Sequence, residues 1–294
     1  MSIDNSVPGN PAPYLHVLHE AHARYGSLSR QTLTHLVAEL GRPVADLFQV
    51  ATFYHYFTVG EDKALQRGVC RGPACSLPGS ASTASEDLPS ISCPGLCDQP
   101  VPEYDAGRFS SNAGGAGVFS LPASVDTKEA LFRHVRTPGI DRLEVYRGLG
   151  GYRQLISLVE GDSADSALDT LRESGLTGCG GAAFPLPSKW RAVRESVGKP
   201  RYLICNADEG EPGTFKDRPL LHLVPHLVLE AMAIGGYVTG AEIGIIYLRY
   251  EYPEAVHVLT KAITEAEEAG LLGSNILGTG FDFSVHLQRG AGSY

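Results

Sequence analysis

Apolar positions over the first 60 residues recur at helical intervals. Leu15, Leu18, Ala21 and Tyr25 lie three or four apart, and Gly26 then stops the run. Ser29 is placed to cap a second helix carrying Leu33, Leu36, Val37 and Leu40, which Gly41 ends. Pro43 stands where a first helical residue would, ahead of Leu47, Phe48, Val50, Phe53 and Phe57. Together these predict a small helical bundle. Residues 66–104 lose that period: short apolar pieces stand between many Pro, Gly and Ser, which predicts short strands and long loops. The stretch Ser110 to Gly117 (SSNAGGAG) leads into irregular sequence up to about residue 145, with Arg133, Arg136 and Arg142, and reads as a linker. From Gly150 onward the pattern alternates. A helix is predicted near 165–174, a glycine-rich turn at 175–183 and a strand at Tyr202-Leu203-Ile204-Cys205. A long helix at about 224–238, a strand at 243–249, a helix at 253–269 and a strand at 281–287 follow. Strands spaced by helices indicate an α/β domain with a largely parallel sheet. There is no internal repeat.

Composition narrows the classes. A chain of 294 residues, 43% of them apolar, is long enough for about two domains with ample core. Charged residues make up 19%, below the roughly 25% of ordinary soluble domains, so charge-driven disorder is not expected. Twenty-four Lys and Arg against 33 Asp and Glu give a net charge of −9, the wrong sign for a nucleic-acid partner. The most apolar stretch, Leu220 to Val238, is interrupted by His222, Pro225, His226 and Glu230, and no basic-plus-apolar leader opens the chain. No membrane span is expected, and a cytoplasmic location follows. The 34 glycines are in excess and point to backbone held close to a ligand.

Of six cysteines, four form two close pairs: Cys70 with Cys75 and Cys93 with Cys97. In a cytosolic chain such pairs suggest a metal site before disulfides, because each short interval lets two thiolates converge on one ion or one cluster edge. Spacing alone leaves open a four-thiolate zinc site, an iron–sulfur cluster and incidental cysteines. Pro94-Gly95-Leu96 and Gly72-Pro73 supply tight turns whose N–H groups can point at sulfur. Cys179 and Cys205 have no close partner and are read as unligated, Cys205 as a strand residue.

The run Ser174 to Pro185 places glycines where a chain passes from turn to helix beside a phosphate, although a mere tight loop reads the same way and the dinucleotide fingerprint is absent. Lys189 and Trp190 follow, a cation and a stacking aromatic, or equally a solvated lysine and a core indole. The strand Tyr202 to Cys205 ends in Asn206-Ala207-Asp208-Glu209-Gly210-Glu211, at the carboxyl end of a parallel strand where ligands bind. Such carboxylates suit ribityl or ribose hydroxyls and ring N–H groups; a solvated acidic turn is the alternative.

Two resemblances join these features. The run Val50-Ala51-Thr52-Phe53-Tyr54-His55-Tyr56-Phe57, then Cys-x4-Cys and Cys-Pro-Gly-Leu-Cys-Asp-Gln-Pro-Val-Pro, resembles the small [2Fe-2S] subunit of NADH:quinone oxidoreductase. The resemblance implies a helical bundle over 1–62, a thioredoxin-like domain over 63–109, and cluster ligation by Cys70, Cys75, Cys93 and Cys97. The family has a longer stretch between its cysteine pairs, so the domain is abbreviated here. Beyond a linker at 110–145, residues 146–294 resemble the flavoprotein subunit of the same enzyme, which occurs also in NAD-linked hydrogenases and formate dehydrogenases. Cys205 to Arg218, Ile246-Tyr247-Leu248-Arg249, Glu251-Tyr252 and Gly290-Ala291-Gly292-Ser293-Tyr294 carry the match. It implies a Rossmann-like α/β domain with Gly178, Gly180, Gly181 and Lys189 along FMN and Asn206, Asp208 and Glu209 at its polar edge. It also implies Phe184 stacked on the nicotinamide of NAD(H), Glu211 hydrogen-bonded to that nucleotide, and Tyr294 in the cofactor site. Cys179 stands where the family has Arg, Ala183 where it has Gly, and Leu186-Pro187 where it has Thr-Gly. The implied activity is NADH oxidation at an electron-entry subunit, with hydride passing to FMN and electrons on to the cluster, and with no side-chain acid or base. A decayed, non-catalytic zinc-binding or assembly protein is the rival reading. The family continues at once into Ile-Cys-Gly-Glu-Glu-Thr and later into cysteines for a [4Fe-4S] cluster. The resemblance therefore implies a fragment or one half of a split protein. It would bind FMN weakly and lack turnover alone, relying on a second chain to complete the flavin site within a hydrogenase, formate dehydrogenase or NADH:quinone oxidoreductase complex.

Overall fold

A computed structural model describes residues 12–41, 43–55, 57–60, 67–77, 87–105, 108–110, 121, 128, 130–161, 163–179 and 181–290. The helical periods of the first 60 residues form α1 (Ala12–Tyr25), α2 (Arg30–Leu40) and α3 (Val44–Phe53). Ser29 Oγ accepts the Thr32 N–H at 3.1 Å, and Gly41, left-handed at φ 63°, donates its N–H to Val37 O. Both ends of α2 are thus fixed by the residues the sequence supplied for them. Pro43 corrects the expectation: at ψ 142° it is extended and precedes α3 instead of opening it. Leu15, Leu18, Leu33, Leu47 and Ala51 fill the bundle, while Phe48 and Phe53 stay half exposed.

Four short strands follow, β1 (Arg67–Cys70), β2 (Ser90–Ile91), β3 (Glu103–Asp105) and β4 (Arg108–Ser110), in the order β2-β1-β3-β4. β1 runs parallel to β2 and antiparallel to β3. The bundle and this sheet share one core, which Tyr250, distant in sequence, also enters.

The remaining described chain builds a larger α/β core. Ahead of its sheet come α4 (Leu143–Gly148), α5 (Arg153–Glu160), α6 (Ala164–Ser174) and α7 (Leu186–Glu195). Next are β5 (Tyr202–Ala207), α8 (Arg218–Leu223), α9 (Pro225–Thr239), β6 (Ile243–Leu248), α10 (Pro253–Glu268), β7 (Gly273–Ile276) and β8 (Phe281–Arg289). The sheet order is β5-β6-β8-β7, with β5, β6 and β8 parallel and β7 antiparallel. The fold is α/β, as the alternation of patterns required. Val135 and Ile140 are buried in this core. Ile246, Leu248, Phe283 and Val285 are buried on the covered face of the sheet, while Tyr202 and Ile204 on the other face of edge strand β5 are 51% and 64% exposed. A buried polar row ties helices together: Tyr146 Oη donates to Glu230 at 2.6 Å, Tyr152 meets His226 at 3.1 Å, and His226 meets Glu265 at 3.1 Å. Among the described residues no helix is long and apolar enough to cross a membrane.

Candidate functional site

Cys70 closes β1, Cys75 lies in the 3-10 turn Pro73–Ser76, and Cys93 and Cys97 flank a loop after β2. All four are buried. Cys93 and Cys97 Sγ stand 3.5 Å apart, and the Cys70 thiol contacts those of Cys75 and Cys93. The contacts form a row of two pairs. No group of three or more His, Cys, Asp or Glu side chains among the described residues closes round a single ion position. A row of two thiol pairs fits a two-iron cluster, which takes two thiolates on each iron. The Cys93 thiol is held well below its ordinary value by the thiols of Cys70 and Cys97, with the Gly95 N–H and Arg249 adding to the effect. The same contacts push the Cys70 and Cys97 thiols up, so the four thiols titrate as one linked set.

This sulfur site rests directly on the α/β half. Gly213 donates its N–H to Cys97 Sγ at 3.3 Å. Gly95, between the second pair, is left-handed at φ 76°, and a Cβ there would meet Glu251 Cβ at 2.9 Å. Glycine is required on both counts. Arg218 is fully buried, donates to Gly95 O at 3.1 Å and pairs with Asp98. Arg249, equally buried, donates to Glu209 O at 2.6 Å and to Glu251 at 3.2 Å. The Tyr252 ring lies 4.9 Å from the Arg218 guanidinium and 5.5 Å from that of Arg249. A buried cation needs such partners, because its desolvation is otherwise uncompensated.

Asn206 is the penultimate residue of β5, and Asp208, Glu209 and Glu211 occupy the loop that follows it. Asn206 Oδ1 accepts the Asp208 N–H at 3.2 Å. The Glu209 carboxylate accepts N–H groups of Asp217 at 2.6 Å and Arg218 at 3.2 Å and the Tyr252 hydroxyl at 2.9 Å. It holds the start of α8, while burial pushes its pKa up. Glu211 is exposed.

The glycine loop is a separate hairpin. Gly178 donates to Phe184 O at 2.9 Å and Leu186 to Leu176 O at 3.1 Å, so the loop closes on itself before entering α7. Gly181 and Phe184 are exposed at its tip, and Lys189 is exposed one turn into α7. Gly180 and Tyr294 lie outside the described residues. Ala183 takes φ 49°, a left-handed conformation that favours the glycine of the resembling family. The Gly178 and Leu186 N–H groups are spent inside the hairpin and Pro187 has none, so the start of α7 offers little to an anion; the exposed Lys189 ammonium and the exposed Gly181 backbone are the groups that suit a phosphate. A cavity of about 590 Å³ runs along the β5 edge, lined by Leu186, Lys189, Trp190, Tyr202, Ile204 and Cys205 among others; of the residues expected along FMN, only Lys189 lines it. Burial pushes the Cys205 thiol up to about 11, consistent with a strand residue.

Sequence reasoning assigned no role to Arg218, Arg249, Asp98 or Gly213. One available signal was a charged Arg249 placed directly after the apolar run Ile243 to Leu248.

Residues 2–92 match the family model of the thioredoxin-like [2Fe-2S] ferredoxin, and residues 171–294 match that of the Nuo51 FMN-binding domain. Matches to two family models thus lie side by side in one polypeptide. The ferredoxin match ends just before Cys93. The chain is similar to the F 2 subunit of the NADH-quinone oxidoreductase of Rhizobium meliloti, 47% identical over 56% of this chain and 39% of that protein. It is also similar to the NADP-reducing hydrogenase subunit HndC of Solidesulfovibrio fructosivorans, 46% identical over 59% of this chain and 36% of that protein. The matched part of the chain thus spans under half the length of these relatives. A solved NAD+-reducing [NiFe]-hydrogenase shares the fold, with a TM-score of 0.56 at 24% identity over 96% of this chain and 52% of the solved one.

Proposed function

We propose that the chain is an NADH-oxidising electron-entry unit of a larger NAD-linked redox complex, with a [2Fe-2S] cluster on Cys70, Cys75, Cys93 and Cys97 and FMN in its Nuo51-type domain. The observation that carries this reading is the Gly213 N–H on Cys97 Sγ, which puts the sulfur site against the acidic loop of the flavin-type domain. FMN, when bound, supplies the exchange between two-electron chemistry with a nicotinamide and one-electron chemistry with a cluster. The chain's own residues bind and orient. Gly178, Gly180, Gly181 and Lys189 would lie along FMN, Asn206, Asp208 and Glu209 at its polar edge, and Tyr294 beside it. Phe184, exposed at the loop tip, and Glu211, exposed on the acidic loop, would take the nicotinamide nucleotide. Cys70, Cys75, Cys93 and Cys97 would hold the cluster, and their burial would limit the access of water to it. The location we assign is the cytosol, and the partners are other subunits of a hydrogenase, formate dehydrogenase or NADH:quinone oxidoreductase assembly.

Metal, sulfide and flavin analysis of protein purified without oxygen tests this. Iron and acid-labile sulfide at two each per chain, with FMN in the assembled complex, are expected. Stoichiometric zinc without iron would establish the rival zinc-binding reading.

A further inference from the structure

The Cys93–Cys97 loop sits on a buried ion pair contributed by the other half of the molecule. A Cβ at Gly95 would meet Glu251 Cβ at 2.9 Å and Arg249 Cζ at 3.6 Å, so the loop backbone lies against that pair. Arg249 and Glu251 are joined at 3.2 Å, with side chains 0% and 7% exposed. Arg249 Nη2 and Glu251 Oε1 are both buried without a hydrogen-bond partner among the described residues. Arg249 is anchored on Glu209 O, and the unmatched polar atoms of the pair are buried under the Cys93–Cys97 loop.

We propose that Arg249 and Glu251 set the reduction potential of the cluster on Cys70, Cys75, Cys93 and Cys97. The inference rests on the cluster reading above. An oxidised two-iron core with four thiolates carries a charge of −2, and one added electron makes it −3. A cation in a dry, low-dielectric interior favours the more negative state, and a carboxylate beside it opposes that. Arg249 therefore raises the potential and Glu251 trims it. Both are positioning residues, acting on the cluster from another domain. The α/β half thereby helps decide how readily the cysteine half accepts an electron.

The test is an anaerobic titration of the full chain with dithionite as reductant, following the paramagnetic signal of the reduced cluster. Glu251→Gln keeps the size and the oxygen that accepts from Arg249, and removes the charge. It should favour the reduced cluster by about tenfold, an upward shift of about 59 mV for one electron. Arg249→Gln should shift the midpoint downward by a similar factor. A purely structural role would change cluster content without opposite shifts in potential. Should Arg249→Gln fail to load its cluster, Glu251→Gln alone decides: a loaded cluster with an unchanged midpoint overturns the inference. Absence of an iron–sulfur signal in the unmodified chain overturns the cluster reading itself, and this inference with it.

Discussion

Cys70, Cys75, Cys93 and Cys97 are buried, and each of the two loops carrying them touches the other half of the chain, whereas Gly181, Phe184 and Lys189 face solvent. On the closed side, Gly213, Arg218 and Arg249 reach into the cysteine loop or lie under it. On the open side, the glycine hairpin spends Gly178 and Leu186 N–H groups on its own carbonyls. The difference follows from what each site would bind. A cluster is built into the protein and must be kept from water, so its thiols are arranged in advance. A nucleotide must arrive and leave, so its contacts stay accessible. The acidic loop serves both sides: Glu209 caps α8, whose Arg218 reaches Asp98, and Asp208 at its start donates its N–H to Asn206 on β5.

The comparison breaks most sharply at Arg218. Replacing it by Met leaves Asp98 buried without its cation, which should cost about 3–5 kcal/mol. Urea unfolding should show that loss on the closed side; a loss below about 1 kcal/mol would mean that Arg218 does not hold the halves together.

His222, on the same short helix α8, sharpens it through pH. Burial pushes its pKa down to about 4 from an ordinary 6.5, with Arg218 adding to the shift. Between those values the unfolded chain binds the proton more readily than the folded one. The stability associated with neutral His222 is therefore full above pH 6.5 and is lost as pH falls toward 4, by up to roughly 3 kcal/mol. Unfolding midpoints measured from pH 7 to pH 4 should fall more steeply for the unmodified chain than for His222→Gln; parallel slopes would contradict this.

On the open side the expected effects are smaller. Phe184→Ala in the assembled complex should weaken NADH use by about 1–2 kcal/mol, a stacking loss read in kcat/KM, with thermal stability unchanged. Unaltered kinetics would remove Phe184 from the nucleotide site. Smallest is Ala183→Gly, which relieves a left-handed alanine and should stabilise the chain by about 0.5–1 kcal/mol, seen as a rise in Tm.

Helix capping was legible because it is local. Ser29 and Gly41 bracket α2 as their types demand. The largely parallel pairing of the larger sheet followed from alternation of patterns, since a parallel neighbour needs a crossover helix. The helix α7 was not read from the sequence although Leu186, Trp190 and Val193 recur in it at helical spacing; those three apolar positions are few, and none of its residues is buried. Among the candidate site residues, the four cysteines could be paired by spacing. That the row of thiols runs from Cys75 through Cys70 and Cys93 to Cys97 depends on β1 and β2 lying side by side.

Residue type and interval by themselves determined the helical bundle, the α/β class, the cysteine pairs and the loops that carry glycine and acid, because each depends on neighbours within a few positions. Only the tertiary structure decided that Gly95 rests on Glu251, that Gly213 donates to Cys97, and that Arg218 pairs with Asp98. Those contacts join residues over 100 positions apart. They form because a buried cation or a buried sulfur must find its partner wherever the packed core brings one within reach, and sequence spacing carries no record of that distance.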